Sequence, residues 1–146
     1  MELKAQYTFD APLARVWERL MDPAAISACV PGCHKFEPIG EDRYQVVLTA
    51  GVAAVTGTFE GTVALVDRQP ETSYRLIVEG KGRPGFAKGD VIIVLTPREG
   101  DVVVEVAGVM AVGGLVAQVG QRLLGTTVRM MMDRFFKCMQ SKIVAG

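Results

Sequence analysis

The chain has 146 residues, enough for one domain of ordinary size with a real hydrophobic core. Apolar residues make up 49% of it and charged residues 22%, and the 16 basic side chains are balanced by 16 acidic ones. This balance argues against a nucleic-acid-binding protein, which needs a basic excess. The segment from residue 113 onward carries five basic residues and one acid. Such a segment is typical of a solvated helix face, or of a surface that favours an anionic partner.

The N-terminus and the cysteine content predict a cytoplasmic protein. The opening "MELKAQYTF" lacks the apolar stretch of a signal peptide, and the chain has an odd number of cysteines, three. The longest uncharged stretch, residues 106–121, is shorter than the roughly 20 residues that a membrane span requires. We therefore expect a cytoplasmic location without a transmembrane helix, and peripheral contact with the inner face of the cytoplasmic membrane stays open.

Most of the chain up to Met110 shows the two-residue period of half-buried strands. In "LKAQYTF" the residues Leu3, Ala5 and Tyr7 share one face, opposite Lys4. The same alternation recurs in "RYQVVLTA", "FEGTVAL", "YRLIVEG", "AKGDVIIVL" and "DVVVEVAGVM". With a weaker strand near "HKFEPI" and short turns between them, this pattern predicts about seven antiparallel strands in a meander.

Helices are predicted in two places. After the first strand, "DAPLARVWERLMD" has Asp10 as its expected N-cap, and "DPAAISACV" forms a second short helix that ends at Pro31-Gly32. A long C-terminal helix is expected from Gly114 or Leu115 to about Ile143. The predicted fold is therefore α+β, in a single domain over residues 1–146.

The stretch "VGGLVAQVGQRLL" (residues 112–124) places glycines before and inside this predicted long helix. Their spacing does not match a phosphate-binding loop. Because a glycine inside a helix costs about 1 kcal/mol relative to alanine, we expect a strand or a ligand to approach Gly120 closely. The strands also carry small inward-facing residues, which provide bends or leave space: Ala50, Gly61, Gly80, Gly89 and Gly108. Our hypothesis is an apolar cavity between the helix and the sheet.

Several motifs in this arrangement resemble those of a known family. They are "PGC" (residues 31–33), "GTFEG" (57–61), "GRPGFAKG" (82–89), the stretch 112–124 and "FF" at residues 135–136. The chain is similar over nearly its whole length to the G-subunit family of carbon monoxide dehydrogenase, within the START-like (SRPBCC) superfamily. This resemblance implies the helix-grip fold, in which about seven antiparallel strands curve around one long C-terminal helix.

The same resemblance implies a non-catalytic function without a cofactor. Family members are associated with molybdenum carbon monoxide dehydrogenases and similar hydroxylases, which they are thought to link to the membrane and its quinone pool. Many carry an additional tail after this domain, whereas this sequence stops at Gly146, so anchoring by such a tail is in doubt. We expect a hydrophobic small molecule, quinone-like or lipid, as the ligand and a molybdenum hydroxylase as a partner, with no nucleic acid.

The candidate ligand-binding residues come from the apolar stripe of the long helix, from inward strand positions and from the apolar turn after Pro84. They line the expected cavity or its mouth: Phe86, Met110, Leu115, Ala117, Gly120, Leu124, Val128, Met131, Phe135, Tyr44, Tyr74 and Ile93.

The cluster "CVPGCHKF" contains Cys29, Cys33 and His34, but a structural zinc site needs four ligands with tighter spacing. A disulfide between Cys29 and Cys33 is conceivable but not expected in a reducing cytosol. We therefore predict no metal and interpret the cluster as a partly buried turn. Two other functions stay open, a cyclase- or hydrolase-type enzyme that uses an inward tyrosine, and a protein-interaction module without a ligand.

Overall fold

The computed structural model describes residues 1–145. Within these residues seven strands form one antiparallel sheet in the order β1-β7-β6-β5-β4-β3-β2. The elements in chain order are β1 (Glu2–Phe9), α1 (Leu13–Leu20), α2 (Pro23–Cys29), β2 (Cys33–Gly40), β3 (Arg43–Val52), β4 (Val55–Gln69), β5 (Ser73–Gly82), β6 (Gly85–Arg98), β7 (Asp101–Gly113), a 3-10 helix (Leu115–Val119) and α3 (Gln121–Ala145). The expected helix-grip fold, with two short helices after the first strand and one long C-terminal helix, is confirmed.

Strands β2 to β7 follow one another as hairpins, and β7 also pairs with β1, the first strand of the chain. Because the strands alternate in direction, the connections alternate between two ends of the sheet. One end carries the β3–β4, β5–β6 and β7–α3 connections, and the other end carries the β2–β3, β4–β5 and β6–β7 turns.

The sheet buries one face against α3 and the two short helices. The buried residues of this core come from strands and helices alike: Phe9, Ala11, Val16, Leu20, Ala25, Ile26, Cys29, Tyr44, Val46, Leu65, Tyr74, Ile93, Leu95, Val102, Val104, Val106, Phe136, Met139 and Ile143. Burial of so many apolar side chains on one sheet face is the principal favourable contribution to folding. It also fixes which face of each strand points toward α3.

The caps of the short helices differ from the sequence expectation. Helix α1 begins after Pro12, which has extended backbone dihedrals and forms no side-chain cap hydrogen bond, so the N-cap expected at Asp10 is wrong. In α2, by contrast, the Asp22 side chain accepts a hydrogen bond of 3.0 Å from the Ala24 amide. Pro23 follows Asp22 at the first position of α2. A backbone N–H at this position would have no acceptor within the helix, so proline loses no hydrogen bond there.

The long helix begins later than predicted, because the chain breaks at Gly120. Residues Leu115–Val119 form a 3-10 helix, and α3 starts at Gln121. Gly120 has φ +93° and ψ 152°, a conformation that is essentially confined to glycine. A Cβ atom at this position would have no neighbour within 4 Å. The expectation that close packing explains Gly120 is therefore wrong, and its backbone conformation is the reason for glycine.

The cysteines also differ from the sequence expectation. Cys29, at the end of α2, forms a disulfide with Cys138 of α3, although 109 residues separate them along the chain. The Cα–Cα distance of 5.4 Å is ordinary for a disulfide. Cys33 is the free thiol of the described chain. The sequence analysis had considered only a disulfide between Cys29 and Cys33, whereas the observed pairing links α2 directly to α3.

Candidate functional site: an apolar cavity

A cavity of about 400 Å³ lies between α3 and the inner face of the sheet and is partly open to solvent. Its volume falls within the range of small-molecule sites. Four groups of residues line it: from β1 and the first helices Leu3, Leu20, Ile26, Val30 and Pro31; from β2–β4 Phe36, Val46, Leu48, Ala50, Gly51, Val52, Val55, Phe59, Gly61, Thr62, Val63 and Leu65; from β5–β7 Tyr74, Leu76, Val78, Glu79, Gly80, Ala87, Gly89, Val91, Ile93, Val106, Met110 and Val112; and from the C-terminal segment Val116, Leu124, Thr127, Val128, Met131, Met132, Phe135 and Phe136.

The wall of this cavity is almost free of ionisable groups. Among the described lining residues these are Tyr74 and Glu79. The Glu79 side chain is mostly exposed, and its carboxylate lies 3.4 Å from the Lys88 ammonium, so it faces away from the cavity. Tyr74 is buried, and burial raises the pKa of its hydroxyl above the usual value, which keeps it neutral. The cavity is therefore suited to an uncharged, apolar ligand.

Small residues on the strands line this space. Gly61 of β4 is paired with Gly80 of β5 across the sheet. Both glycines line the cavity, as do Ala50 and Gly89, whereas the fifth small residue of the sequence hypothesis, Gly108, does not. A Cβ atom on Gly61 would collide with the Glu79 carbonyl, so this glycine allows β4 and β5 to approach closely, whereas Gly80 has room for a side chain. The structure thus contains the cavity that the sequence analysis hypothesised.

Seven of the twelve candidate residues from the sequence line the cavity, namely Met110, Leu124, Val128, Met131, Phe135, Tyr74 and Ile93. Four of these lie along α3 at positions 124, 128, 131 and 135. Three of the four, Val128, Met131 and Phe135, are only half-buried. The fully packed face of α3 is instead formed by Phe136, Met139 and Ile143. The predicted stripe therefore faces the cavity, while the neighbouring stripe packs on the core.

The other five candidates, which were predicted to lie in the cavity or at its mouth, are not among the residues that line it. Leu115 and Ala117 lie on the 3-10 helix, and Gly120 lies at the break that follows it. These three were placed by assuming a continuous helix, whose phase the break changes.

The side chains of the remaining two, Phe86 and Tyr44, pack against other residues. The Phe86 ring rests on Gly113, where a Cβ atom would collide with it, and its side chain is 45% exposed. Tyr44 is buried and stacks on Phe36 with 4.7 Å between ring centroids. Stacking of this kind is ordinary core packing.

Sequence reasoning missed the part of the wall formed by α2, the turn after it and β2. Val30, Pro31 and Phe36 belong to this part. The strand near "HKFEPI" was identified only weakly, because two register shifts interrupt its pairing with β3. The alternation around Phe36 would have indicated its inward side chain.

The remaining inward tyrosine is held by a polar partner. The Tyr7 hydroxyl donates a hydrogen bond of 2.7 Å to Oδ1 of Asp133, and its ring stacks on Phe136. Partial burial and this carboxylate raise the pKa of Tyr7. Tyr7 does not line the cavity, so it has a packing and hydrogen-bonding role there.

The "CVPGCHKF" cluster does not form a metal site. No group of three potential metal ligands occurs within residues 1–145. The Cys33 thiol donates to the Lys35 carbonyl at 3.3 Å, and His34 Nε2 lies 2.7 Å from the Thr49 hydroxyl. Over the same part of the chain, no helix combines the length and apolar character needed to cross a bilayer.

An antiparallel sheet that grips a long helix, with an apolar cavity between them, defines a START-like protein. Solved structures share this fold. A START superfamily protein from Mycobacterium smegmatis has a TM-score of 0.73 at 12% identity, covering 99% of this chain and 97% of that one. The Zhui aromatase/cyclase from Streptomyces sp. R1128 has a TM-score of 0.68 at 16% identity, covering 98% and 93%. These likenesses concern the fold alone.

The chain belongs to the CoxG family, the G-subunit family of carbon monoxide dehydrogenase, whose model matches residues 6–144. A conserved protein from Geobacillus kaustophilus has a TM-score of 0.95 at 35% identity, and the match covers 99% of this chain and 96% of that chain. No curated protein sequence matches the chain. The family resemblance seen in the sequence motifs is thus confirmed.

Proposed function

We propose that this protein binds an uncharged hydrophobic small molecule, a quinone or a lipid, in the cavity between α3 and the sheet. The observation that carries the proposal is the 400 Å³ cavity with its uncharged apolar wall. A ligand that buries apolar surface there gains about 25 cal/mol for each Å² removed from water. A carboxylate or phosphate inside would be unpaired and strongly disfavoured, so any polar head group would sit at the opening.

The side chains of the wall suit a range of apolar ligands. Met110, Met131 and Met132 border the cavity from β7 and α3. Methionine is unbranched and flexible, so its side chain can adapt to ligands of different shape. This adaptability fits a carrier better than an enzyme, which must hold one substrate in one orientation.

The proposed role is non-catalytic. General acid–base catalysis requires a titratable group near the reacting atoms with a pKa close to the working pH. Tyr74 is the ionisable side chain directed at the cavity, and its raised pKa moves it away from that range. The family is named for one of the subunits of carbon monoxide dehydrogenase. We therefore place this chain as an accessory protein of a molybdenum hydroxylase of that type, which delivers a quinone or recruits the enzyme to a membrane.

The test is to identify the ligand and then to block its site. Native mass spectrometry of the purified protein, followed by denaturation and organic extraction, should release an isoprenoid quinone or another lipid. The Val128→Phe variant fills part of the cavity and should lose most of this bound material. Met130→Phe adds similar bulk at an exposed position of α3 that does not line the cavity, and should retain it.

Two results would overturn the proposal. One is a protein that is purified empty and takes up neither quinones nor fatty acids added from solvent, which would favour a protein-interaction module. The other is equal ligand content in Val128→Phe and Met130→Phe. Turnover of an added aromatic polyketide or ester, lost in Tyr74→Phe, would instead establish the enzymatic alternative.

A further inference from the structure

We propose that one end of the sheet is a docking surface for a bilayer that contains anionic lipids. The surface, called the tip here, consists of the β3–β4 hairpin (residues 50–57), the β5–β6 turn (residues 81–88) and residues 112–124. The proposal rests on the proposed function in one respect, because a bilayer is where an apolar ligand would enter or leave the cavity.

The three segments of the tip form one packed unit. The Val116 amide donates a hydrogen bond of 2.7 Å to the Pro84 carbonyl, which joins the 3-10 helix to the β5–β6 turn. Val52, Val116 and Leu124 form a small hydrophobic cluster of their own, with Val55 packed against it. A Cβ atom on Gly57 of β4 would lie 2.6 Å from the Pro84 ring. The tip is therefore a continuous surface rather than three separate loops.

Large apolar side chains project from this unit into solvent. Leu115 is 52% exposed, Leu123 48% and Phe86 45%. They come from the 3-10 helix, the first turn of α3 and the start of β6. Exposed apolar side chains collected on one surface mark an interaction site more often than scattered ones do.

The three segments of the tip carry charges of one sign, and Glu60 of β4 lies just outside them, opposite Lys81. These segments contain the cations Lys81, Arg83, Lys88 and Arg122 and no carboxylate. Lys88 lies 3.4 Å from Glu79, which is just outside the tip. Arg83 and Arg122 are exposed. A cationic surface is attracted to the negative potential of anionic lipids.

The opposite end of the sheet has the reverse character. Its three turns and the strand ends beside them carry six acids, Glu41, Asp42, Asp67, Glu71, Glu99 and Asp101, against the three cations Arg43, Arg68 and Arg98. The molecule is thus polarised along the strands, positive and apolar at the tip and negative in net charge at the far end. An anionic bilayer would orient it with the tip toward the lipid and the acidic turns away.

The position of the cavity explains why a bilayer fits this surface better than a protein partner. The inner residues of the tip, among them Gly51, Val52, Val112, Val116 and Leu124, also line the cavity. Segments that lie in the bilayer interface typically combine apolar side chains with flanking cations. Insertion of the tip would therefore bring the cavity next to the acyl region, and the ligand would exchange without crossing water.

The experiment is flotation of the full chain with vesicles of phosphatidylcholine, alone or mixed with phosphatidylglycerol, at low and high salt. We expect partition into the mixed vesicles that weakens as salt rises. Arg83→Ala and Arg122→Ala should each lower the partition coefficient about fivefold. Leu115→Ser with Leu123→Ser should lower it by about tenfold or more.

Matched controls test whether the position of each change matters. Ile92 is an exposed apolar residue on β6 outside the tip, and Arg43 is an exposed cation at the acidic end. Ile92→Ser and Arg43→Ala should leave partition unchanged. Equal losses in these controls, or no partition of the original protein into mixed vesicles, would overturn the proposal. The proposal would also be overturned if the tip variants still bound vesicles but lost self-association or binding to a purified hydroxylase.

Ligand content separates this proposal from the proposed function. The tip variants, loaded from solvent, should bind as much quinone or fatty acid as the original protein, because their altered residues do not line the cavity. Loading without vesicle partition refutes the docking surface and leaves the cavity function intact. Vesicle partition by a protein that never takes up ligand refutes the cavity function and leaves the docking surface intact.

Discussion

Replacing Cys138 with serine should strongly destabilise the oxidised protein. The disulfide from Cys29 to Cys138 closes a loop over a sequence separation of 109 residues. Cross-linking the unfolded chain over this length removes loop-closure entropy, which corresponds to about 4.8 kcal/mol at 25 °C in the chain-entropy relation. For a protein of this size, that loss lowers the melting temperature by about 15 °C. Since Cys138 is only partly buried, the serine itself should add little to this cost.

The assay has two parts, performed on protein purified without reductant. Thiol titration in denaturant should detect the Cys33 thiol alone before reduction, and all three cysteines after it. Thermal unfolding should show that Cys138→Ser matches the reduced original protein. Cys33→Ser is the matched control and should melt with the oxidised protein. Three free thiols before reduction, or unchanged melting of Cys138→Ser, would refute the pairing and the reasoning built on it.

Two further predictions concern backbone conformation and pH. Gly120→Ala should lower the free energy of unfolding by about 1–3 kcal/mol, because φ is +93° although no atom crowds the new methyl group. Gly40→Ala has equal space and no positive φ, so unchanged urea unfolding of both variants would contradict this explanation. For Tyr74 and Tyr7 the folded pKa is raised, first of all by burial and at Tyr7 also by Asp133. The stability that they contribute is present below the unfolded pKa of about 10 and is lost as pH rises above it. Urea titrations across this range should show the decline, and a smaller slope in Tyr74→Phe; an unchanged slope would refute the assignment to Tyr74.

Local patterns in the sequence were sufficient to predict most of the fold. The alternation of apolar and polar residues along each strand reflects a physical period of two, so it identified six strands, and the inward face of each, from neighbouring residues alone. The family motifs then led to the helix-grip arrangement, which the structure confirms. Tyr74, Ile93 and Met110 were placed on the inner face by the same alternation, and all three line the cavity.

Errors arose where one residue changes the phase of a helix. The predicted single helix from Gly114 or Leu115 to about Ile143 put Ala117 and Gly120 on the cavity stripe. Helical periodicity carries no information across a glycine whose conformation interrupts the helix. Gly120 sets that interruption, and the residues before it lie on a separate element, where Leu115 faces solvent.

The sequence by itself determined the strand pattern, the inward faces and the apolar character of any space that they enclose, because these depend on residues close together along the chain. Only the tertiary structure decided which distant residues meet. It joined Cys29 to Cys138, collected three connections into one cationic, apolar tip, and left the cavity between α3 and the sheet unfilled. Such outcomes depend on how all elements pack together. The volume between the sheet and α3, for example, depends on the side chains of both layers, so neither segment of the sequence determines it alone.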